Sequence, residues 1–152
     1  MTAWLLMVAA LAGQSSGPSP EQARWTWTLY DSSDGGRVVL ANEIPDTPSL
    51  RATLECDPGS GAVLISVFDR EGADAGYVSI RSGQASTASQ GELADEGDTT
   101  RLTASMRMEH PVFAAFLETR TLALHQGETR WTVRVGARHT ALLNDFAAAC
   151  GG

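Results

Sequence analysis

Residues 140–151 read TALLNDFAAACG and form the clearest helical pattern in the chain. Its apolar side chains recur at i, i+3, i+4 and i+7, which places them on one helix face: Leu143, Phe146, Ala147 and Cys150. Thr140 suits the N-cap, and Gly151 suits the position just after the last helical turn. The sequence therefore predicts a closing helix that carries one of the chain's only two cysteines on its apolar face.

The other cysteine ends a well-patterned segment, 50–56, in which apolar and polar residues alternate. This period-two pattern predicts a strand with Cys56 on the core side. Two cysteines in an oxidising compartment are expected to pair. Two free buried thiols or a metal site are the alternatives, although no histidine pair lies nearby to complete a zinc site. We predict a Cys56–Cys150 disulfide, which would stabilise the domain by at most about 4–5 kcal/mol because it closes a loop of about a hundred residues.

The N-terminal segment is typical of an export signal. Residues 1–20 carry no charge, 4–12 are apolar, and Ala10 and Ala12 form a small-x-small cleavage signal. No Lys or Arg precedes the apolar run, which departs from the usual pattern. The run is shorter than the roughly 20 residues that span a bilayer. We predict a signal peptide at 1–12, a flexible mature N-terminus at 13–23, and a periplasmic or secreted product without a membrane span.

The remaining chain, 24–151, predicts a single β-rich domain. About eight short segments have strand-like patterns, and turn-forming residues separate them. A second, shorter helix is expected after His110, because Pro111 suits the first helical position. The fold class predicted is mainly β: an antiparallel sandwich or barrel with two helices in its C-terminal half, one of them held by the disulfide. Ser82–Asp98 is small, polar and acidic without periodicity, and it is predicted to be an exposed loop.

Charge and motif content argue against several functions. The formal net charge is -7 and lysine is absent, which disfavours binding to nucleic acid or to an anionic membrane. The three histidines (His110, His125 and His139) include no i,i+4 pair and are interpreted as surface or capping residues. No nucleophile elbow or phosphate-binding loop is present. We therefore predict no catalytic residue, no metal, no cofactor and no enzymatic activity.

One group of residues could bind a partner. Arg101, Arg107, Arg130 and Arg134 occupy outward positions of the late strands. If those strands are neighbours, the four arginines form a face that could receive a carboxylate-bearing partner. The alternative is a solvated outer face, balanced by acids such as Glu55 and Glu128.

Three further features resemble a loose group of small exported bacterial proteins, including the periplasmic proteins associated with type VI secretion. These are the strand ending Leu54-Glu55-Cys56, the PVFAAFL segment at 111–117 before Leu122-Ala123-Leu124, and the tail from Val133-x-Val135-Gly136 to Cys150-Gly151. The resemblance covers about two-thirds of the chain. It implies a β-rich exported domain with a disulfide-bearing C-terminal helix, and it supplies no catalytic residues.

The function expected is that of a non-enzymatic exported binding or accessory protein. It would act on another envelope or secreted protein through a sheet face or the acidic segment. The alternative is a secreted enzyme inhibitor, in which the disulfide-held β scaffold presents a loop such as Ser82–Asp98.

Overall fold

Nine antiparallel strands form one continuous sheet, which is curved into a half-barrel. The computed structural model describes residues 24–31, 35–68 and 73–151, so the predicted signal peptide and the mature N-terminus lie outside the described residues. The strands are β1 (Thr26–Tyr30), β2 (Val38–Glu43), β3 (Leu50–Cys56), β4 (Ala62–Phe68), β5 (Gly76–Ser82), β6 (Ala85–Glu96), β7 (Thr99–Arg107), β8 (Thr121–Gln126) and β9 (Thr129–Arg134). The helices are α1 (Pro111–Thr119) and α2 (Thr140–Gly151), with a single 3-10 turn, Ala137–His139, before α2.

The order of strands across the sheet is β1-β2-β3-β4-β7-β6-β5-β8-β9. Every pair of adjacent strands is antiparallel. The first four strands form a meander, and β5 to β7 return in reverse order beside it. The predicted antiparallel β fold with two C-terminal-half helices is confirmed, with nine strands among the described residues rather than about eight.

The additional strand is β6, and it corrects the sequence prediction. Ser82–Asp98 was expected to be an exposed loop, yet it contains the longest strand of the described chain, twelve residues. Only Gly91 in this strand is buried, and Leu93, its largest apolar side chain, is 38% exposed. The strand forms because β5 and β7 hydrogen-bond to it, and not because its own side chains form an apolar face. Strand propensity depends strongly on such context.

Strand β6 changes partners in its middle. Residues 85–91 pair with β5, and residues 92–96 pair with β7. The change occurs at Gly91, where an added Cβ would lie 2.7 Å from Val78 Cγ2 and 2.9 Å from the Gly76 carbonyl oxygen. These distances are shorter than van der Waals contact, so the close approach of β5 at this point requires glycine.

The core lies on the inner face of the half-barrel and is continued by the helices. Helix α1 packs against β5 and β6, and α2 packs against β1 and β2. The inward residues alternate along the strands, as the sequence pattern predicts. The fully buried side chains with the largest volumes are Leu40, Leu54, Val63, Ile65, Ile80, Leu102, Phe116, Leu122, Leu124, Leu143 and Phe146.

The helix ends differ in how they are capped. His110 caps α1, since its Nδ1 accepts a hydrogen bond from the backbone N–H of Val112 at 3.2 Å. This confirms the capping interpretation for that histidine. Thr140 and Gly151 lie within the bounds of α2. The hydroxyl of Thr140 donates to the carbonyl of Ala137 at 2.8 Å, so it is not the N-cap acceptor predicted from sequence.

The predicted disulfide joins Cys56, at the end of β3, to Cys150, in the last turn of α2. Their Cα atoms are 5.7 Å apart and 94 residues separate them in sequence. Both cysteines are buried. The bond therefore fixes the last helix to the core, and by constraining the unfolded chain it contributes up to about 4–5 kcal/mol.

Trp27 connects the two edges of the sheet. It lies on the first strand, is 6% exposed, and its indole N–H donates to the backbone carbonyl of Arg134 at 3.0 Å. Arg134 is the last residue of β9, the strand at the opposite edge. The hydrogen bond thus brings β1 and the end of β9 together across the opening of the half-barrel.

No helix in the described part of the chain has the length and apolarity needed to cross a bilayer.

We predict that Gly91→Ala destabilises the domain by about 1–3 kcal/mol, because the new methyl group overpacks against β5. The measurement is urea unfolding followed by circular dichroism. Gly136→Ala is the matched control, since its Cβ would meet only His139 Nδ1 at 3.8 Å and its φ is -62°. The control should change stability by less than about 0.5 kcal/mol. Equal stabilities for the two variants would contradict the packing role of Gly91.

Candidate binding surface

The four arginines predicted to form one face belong to two separate parts of the sheet. Arg101 and Arg107 lie on β7, whereas Arg130 and Arg134 lie on β9. Strands β6, β5 and β8 separate β7 from β9. The condition for a common face, adjacency of the strands, is therefore not met, and the four-residue face is a wrong prediction.

The two arginines on β7 are engaged with carboxylates. Arg101 Nη2 lies 3.0 Å from Glu96 Oε1, and Arg107 Nη2 lies 3.3 Å from Glu109 Oε1. The Arg107–Glu109 pair is largely solvent-exposed and the Arg101–Glu96 pair is partly exposed, and such pairs contribute little to stability. Their charges are nevertheless balanced locally, so this part of the sheet has no excess positive charge.

The two arginines on β9 join residues that sequence reasoning did not single out. Arg130 is the cross-strand partner of His125 on β8, and Arg134 is that of Thr121. Arg81 on β5 is the cross-strand partner of Ala123 on β8. Because side chains alternate along a strand, all of these residues point away from the core. We call the set Arg81, His125, Arg130 and Arg134 the arginine face.

Ala123 lies near the centre of the arginine face. Its cross-strand partners are Arg81 on β5 and Thr132 on β9. Thr132 lies between Arg130 and Arg134 on β9. From ordinary strand spacing, the Cα atoms of the three arginines form a triangle with sides of about 12–13 Å. Ala123 lies on the outward side of β8, where its small side chain is only 6% exposed. The face therefore has a shallow centre surrounded by cations.

The three arginines of this face have no carboxylate partner among the described residues. The ion pairs between described residues involve Arg37, Arg101 and Arg107, and none involves Arg81, Arg130 or Arg134. All three side chains of the face are exposed. Since the chain as a whole carries a formal charge of -7, an uncompensated cationic area is unusual and creates a local positive potential.

His125 adds a titratable group at the centre of this potential. Burial lowers the pKa of His125, and the positive charges of Arg130 and Arg81 lower it further. The imidazole is therefore neutral at pH 7 and becomes a fourth cation of the face only on acidification. In the sheet it lies between Ser79 on β5 and Arg130 on β9.

Two adjacent concavities open on and beside this face. One, of about 320 Å³, is lined by Arg81, Ala123, His125 and Arg130 together with residues at the end of α1. The second, of about 420 Å³, is lined by Arg120 and Arg134, and it shares Thr119 and Thr121 with the first. A hydrogen bond fixes the backbone at the boundary between the two concavities. The buried Ser82 hydroxyl donates to the backbone carbonyl of Thr121 at 2.8 Å.

The face also borders the most exposed large aromatic side chain of the described residues. Tyr77 is 76% exposed and lies on β5, on the same outward side as Arg81. Tyrosine and arginine are both enriched in the buried centres of protein–protein interfaces. The composition of the face is thus that of a contact surface as well as that of an anion site.

Two further concavities lie in the other half of the sheet, and one of them is larger than those at the arginine face. One of about 570 Å³ is lined in part by Trp25, Leu50 and Phe68, and a neighbouring one of about 400 Å³ shares the last two residues. Much of the charge there is already paired: Tyr30 donates to Glu43 at 2.5 Å, and Arg101 holds Glu96. Size alone therefore does not favour this region over the arginine face.

The remaining histidines do not converge with His125. His110 caps α1, while His139 lies 3.1 Å from the Thr26 hydroxyl through Nε2 and has a pKa lowered by burial and by Arg138. Within residues 24–31, 35–68 and 73–151, no three His, Cys, Asp or Glu side chains are grouped so that they could hold a metal ion.

Two members of the arginine face, Arg81 and His125, were not predicted from the sequence. The sequence contains only part of the information needed to predict them. The strand alternation places Val78 and Ile80 inward and therefore Arg81 outward. His125 and Arg130 flank a short turn and can be predicted to lie close together. The pairing of β5 with β8 cannot be read from either segment, because it depends on how the chain returns after α1.

Comparison of the chain with protein-family models, with curated protein sequences and with solved structures gave no match. The resemblance to exported bacterial proteins stays a prediction. Function is inferred below from the residues of this chain alone.

We predict a pKa for His125 below the ordinary value of about 6.5, measured by NMR titration of its imidazole protons. Folding disfavours the charged form of His125, so the free energy of unfolding falls on acidification. The contribution of His125 to stability is fully present above the unfolded-state pKa and is lost as the pH falls through the folded-state pKa. In an Arg81→Gln/Arg130→Gln variant, the pKa should rise toward 6.5 but stay below it, since burial is the larger cause. A wild-type pKa above 6.5 would show that a negative charge, and not the two arginines, dominates the environment.

Proposed function

We propose that this protein is an exported, non-enzymatic binding or accessory protein, and that the arginine face is its contact surface for another envelope or secreted protein. The observation that carries the proposal is the set of three exposed arginines without carboxylate partners among the described residues. A partner that supplies the missing negative groups would gain charge-assisted, bidentate hydrogen bonds.

The scaffold supports this use of the surface. The face consists of side chains on three hydrogen-bonded strands rather than on a loop, so their backbone positions are fixed relative to one another. The Trp27–Arg134 hydrogen bond restrains the edge of the sheet at β9, and the disulfide fixes α2 to β3. A preorganised surface binds with a smaller loss of conformational entropy than a mobile one.

Two observations support export. The first twenty residues combine the absence of charge, an apolar run and a small-x-small signal. The disulfide is of the kind that persists in oxidising compartments such as the periplasm. Together they favour a periplasmic or secreted protein whose partner is found in the same compartment.

The inhibitor alternative requires a presented loop, such as the one predicted at Ser82–Asp98. Ser82–Asp98 consists mainly of β6, paired over its length with β5 and then with β7. Its turn to β7 contains only Gly97 and Asp98. This segment therefore does not supply the protruding loop that an inhibitor would present.

The test is affinity capture of the tagged protein from cross-linked cell envelopes, read by mass spectrometry. An Arg81→Glu/Arg130→Glu variant should lose the partner, because the charge of the face is reversed. The control, Arg37→Glu/Arg107→Glu, makes the same change in net charge at exposed arginines that are paired with acids. We expect the control to recover the partner like the wild type, and the face variant to recover at least tenfold less. Equal recovery by the face variant, with both variants folded by circular dichroism, would overturn the proposal.

A further inference from the structure

We propose that the arginine face binds an extended acidic segment of its protein partner, with carboxylates held at two separate positions on the face. This inference rests on the proposed function, and it adds the chemistry and shape of what is bound.

The need for two anionic positions follows from the distribution of the arginines. Arg81 and Arg130 line one concavity together with His125, and Arg134 lines the adjacent one together with Arg120. Arg130 and Arg134 lie four residues apart on one strand, which is about 13 Å between their Cα atoms. An extended peptide has the same rise per residue, so acidic side chains at i and i+4 have matching spacing. A single small anion would occupy only one of the two concavities.

The surface between the arginines suits a polypeptide. Hydroxyls of Ser79, Thr121 and Thr132 lie on the outward side, around the shielded methyl group of Ala123. They can donate to and accept from the backbone of a bound segment. Tyr77, at the margin, supplies exposed aromatic area. The neutral imidazole of His125 can also accept or donate one hydrogen bond.

Nucleic acid fits this surface less well. The phosphate charges of a nucleic acid continue along its whole length, so they would extend beyond the arginine face. There they would meet the rest of a protein whose formal charge is -7. The second half of β6 and its turn bear four acids: Glu92, Asp95, Glu96 and Asp98. A short acidic segment is confined to the face, where screening over about 8–10 Å hides the distant acids.

The segment is expected to lie across the outer face and not to extend the sheet. Strand β9 is an edge, and adding a strand there would require its free backbone groups. The carbonyl of Arg134 on this edge already accepts a hydrogen bond from Trp27. Strand addition would have to displace that contact, while binding to the arginine side chains leaves it intact.

The experiment measures binding of a fluorescein-labelled synthetic peptide, about twelve residues of alternating Ser and Glu, by fluorescence polarisation. The same peptide with Gln in place of Glu is the neutral probe. We expect the acidic peptide to bind the full folded protein at least tenfold more tightly than the neutral one, and less tightly at high salt. Arg81→Gln/Arg130→Gln and Arg134→Gln should each reduce the affinity several-fold or more. Arg37→Gln/Arg107→Gln should leave it unchanged.

Several outcomes would overturn the inference. These are equal binding of the Glu and Gln peptides, equal loss in the Arg37/Arg107 control, no effect of Arg134→Gln, or tighter binding of a single-stranded RNA oligonucleotide. Full competition by inorganic phosphate at concentrations comparable to the peptide would show a single small-anion site instead. The envelope capture experiment separates the two proposals. If capture depends on the arginine face while the acidic peptide fails to bind, the proposed function stands and the acidic-segment inference fails.

Discussion

The change of partners in strand β6 is the constraint on which the rest of the structure depends. One strand pairs with β5 over its first half and with β7 over its second half, so a four-strand meander and a C-terminal group of strands become one sheet. The close approach of β5 at the point of change is possible only because Gly91 has no side chain. This connection also separates β7 from β9 by three strands, and so determines which arginines share a face.

That separation gives the two halves of the outer surface different electrostatic character. Around β7, each arginine lies beside an acid of its own hairpin or turn, Glu96 or Glu109. Around β8, the arginines come from strands on both sides, and none of them forms an ion pair with an acid among the described residues. Arginine suits this arrangement because its guanidinium stays charged and offers a planar fork to carboxylates. The charge pattern, and not the size of any concavity, identifies the candidate surface.

The sequence predicted the features that depend on local pattern. The alternation that puts Cys56 inward, the spacing that puts Cys150 on a helix face, and the His110-Pro111 helix start are all found in the structure. Prediction from the sequence failed for β6. The small polar residues of this strand have no apolar periodicity, and the strand forms through hydrogen bonds to its neighbours. Prediction also failed for the four-arginine face, because strand order is a non-local property. The pairing that brings Arg81 next to β8 could not be derived from either strand alone.

We propose that the arginines without acidic partners among the described residues form the contact surface and that the acid-paired ones do not. The most direct measurement is NMR of the arginine side-chain Nε–Hε signals during titration with the captured partner or the acidic peptide. We expect the signals of Arg81, Arg130 and Arg134 to shift and saturate together, while those of Arg101 and Arg107 stay in place. Saturating shifts at Arg101 and Arg107, with the arginine face unaffected, would contradict the proposal.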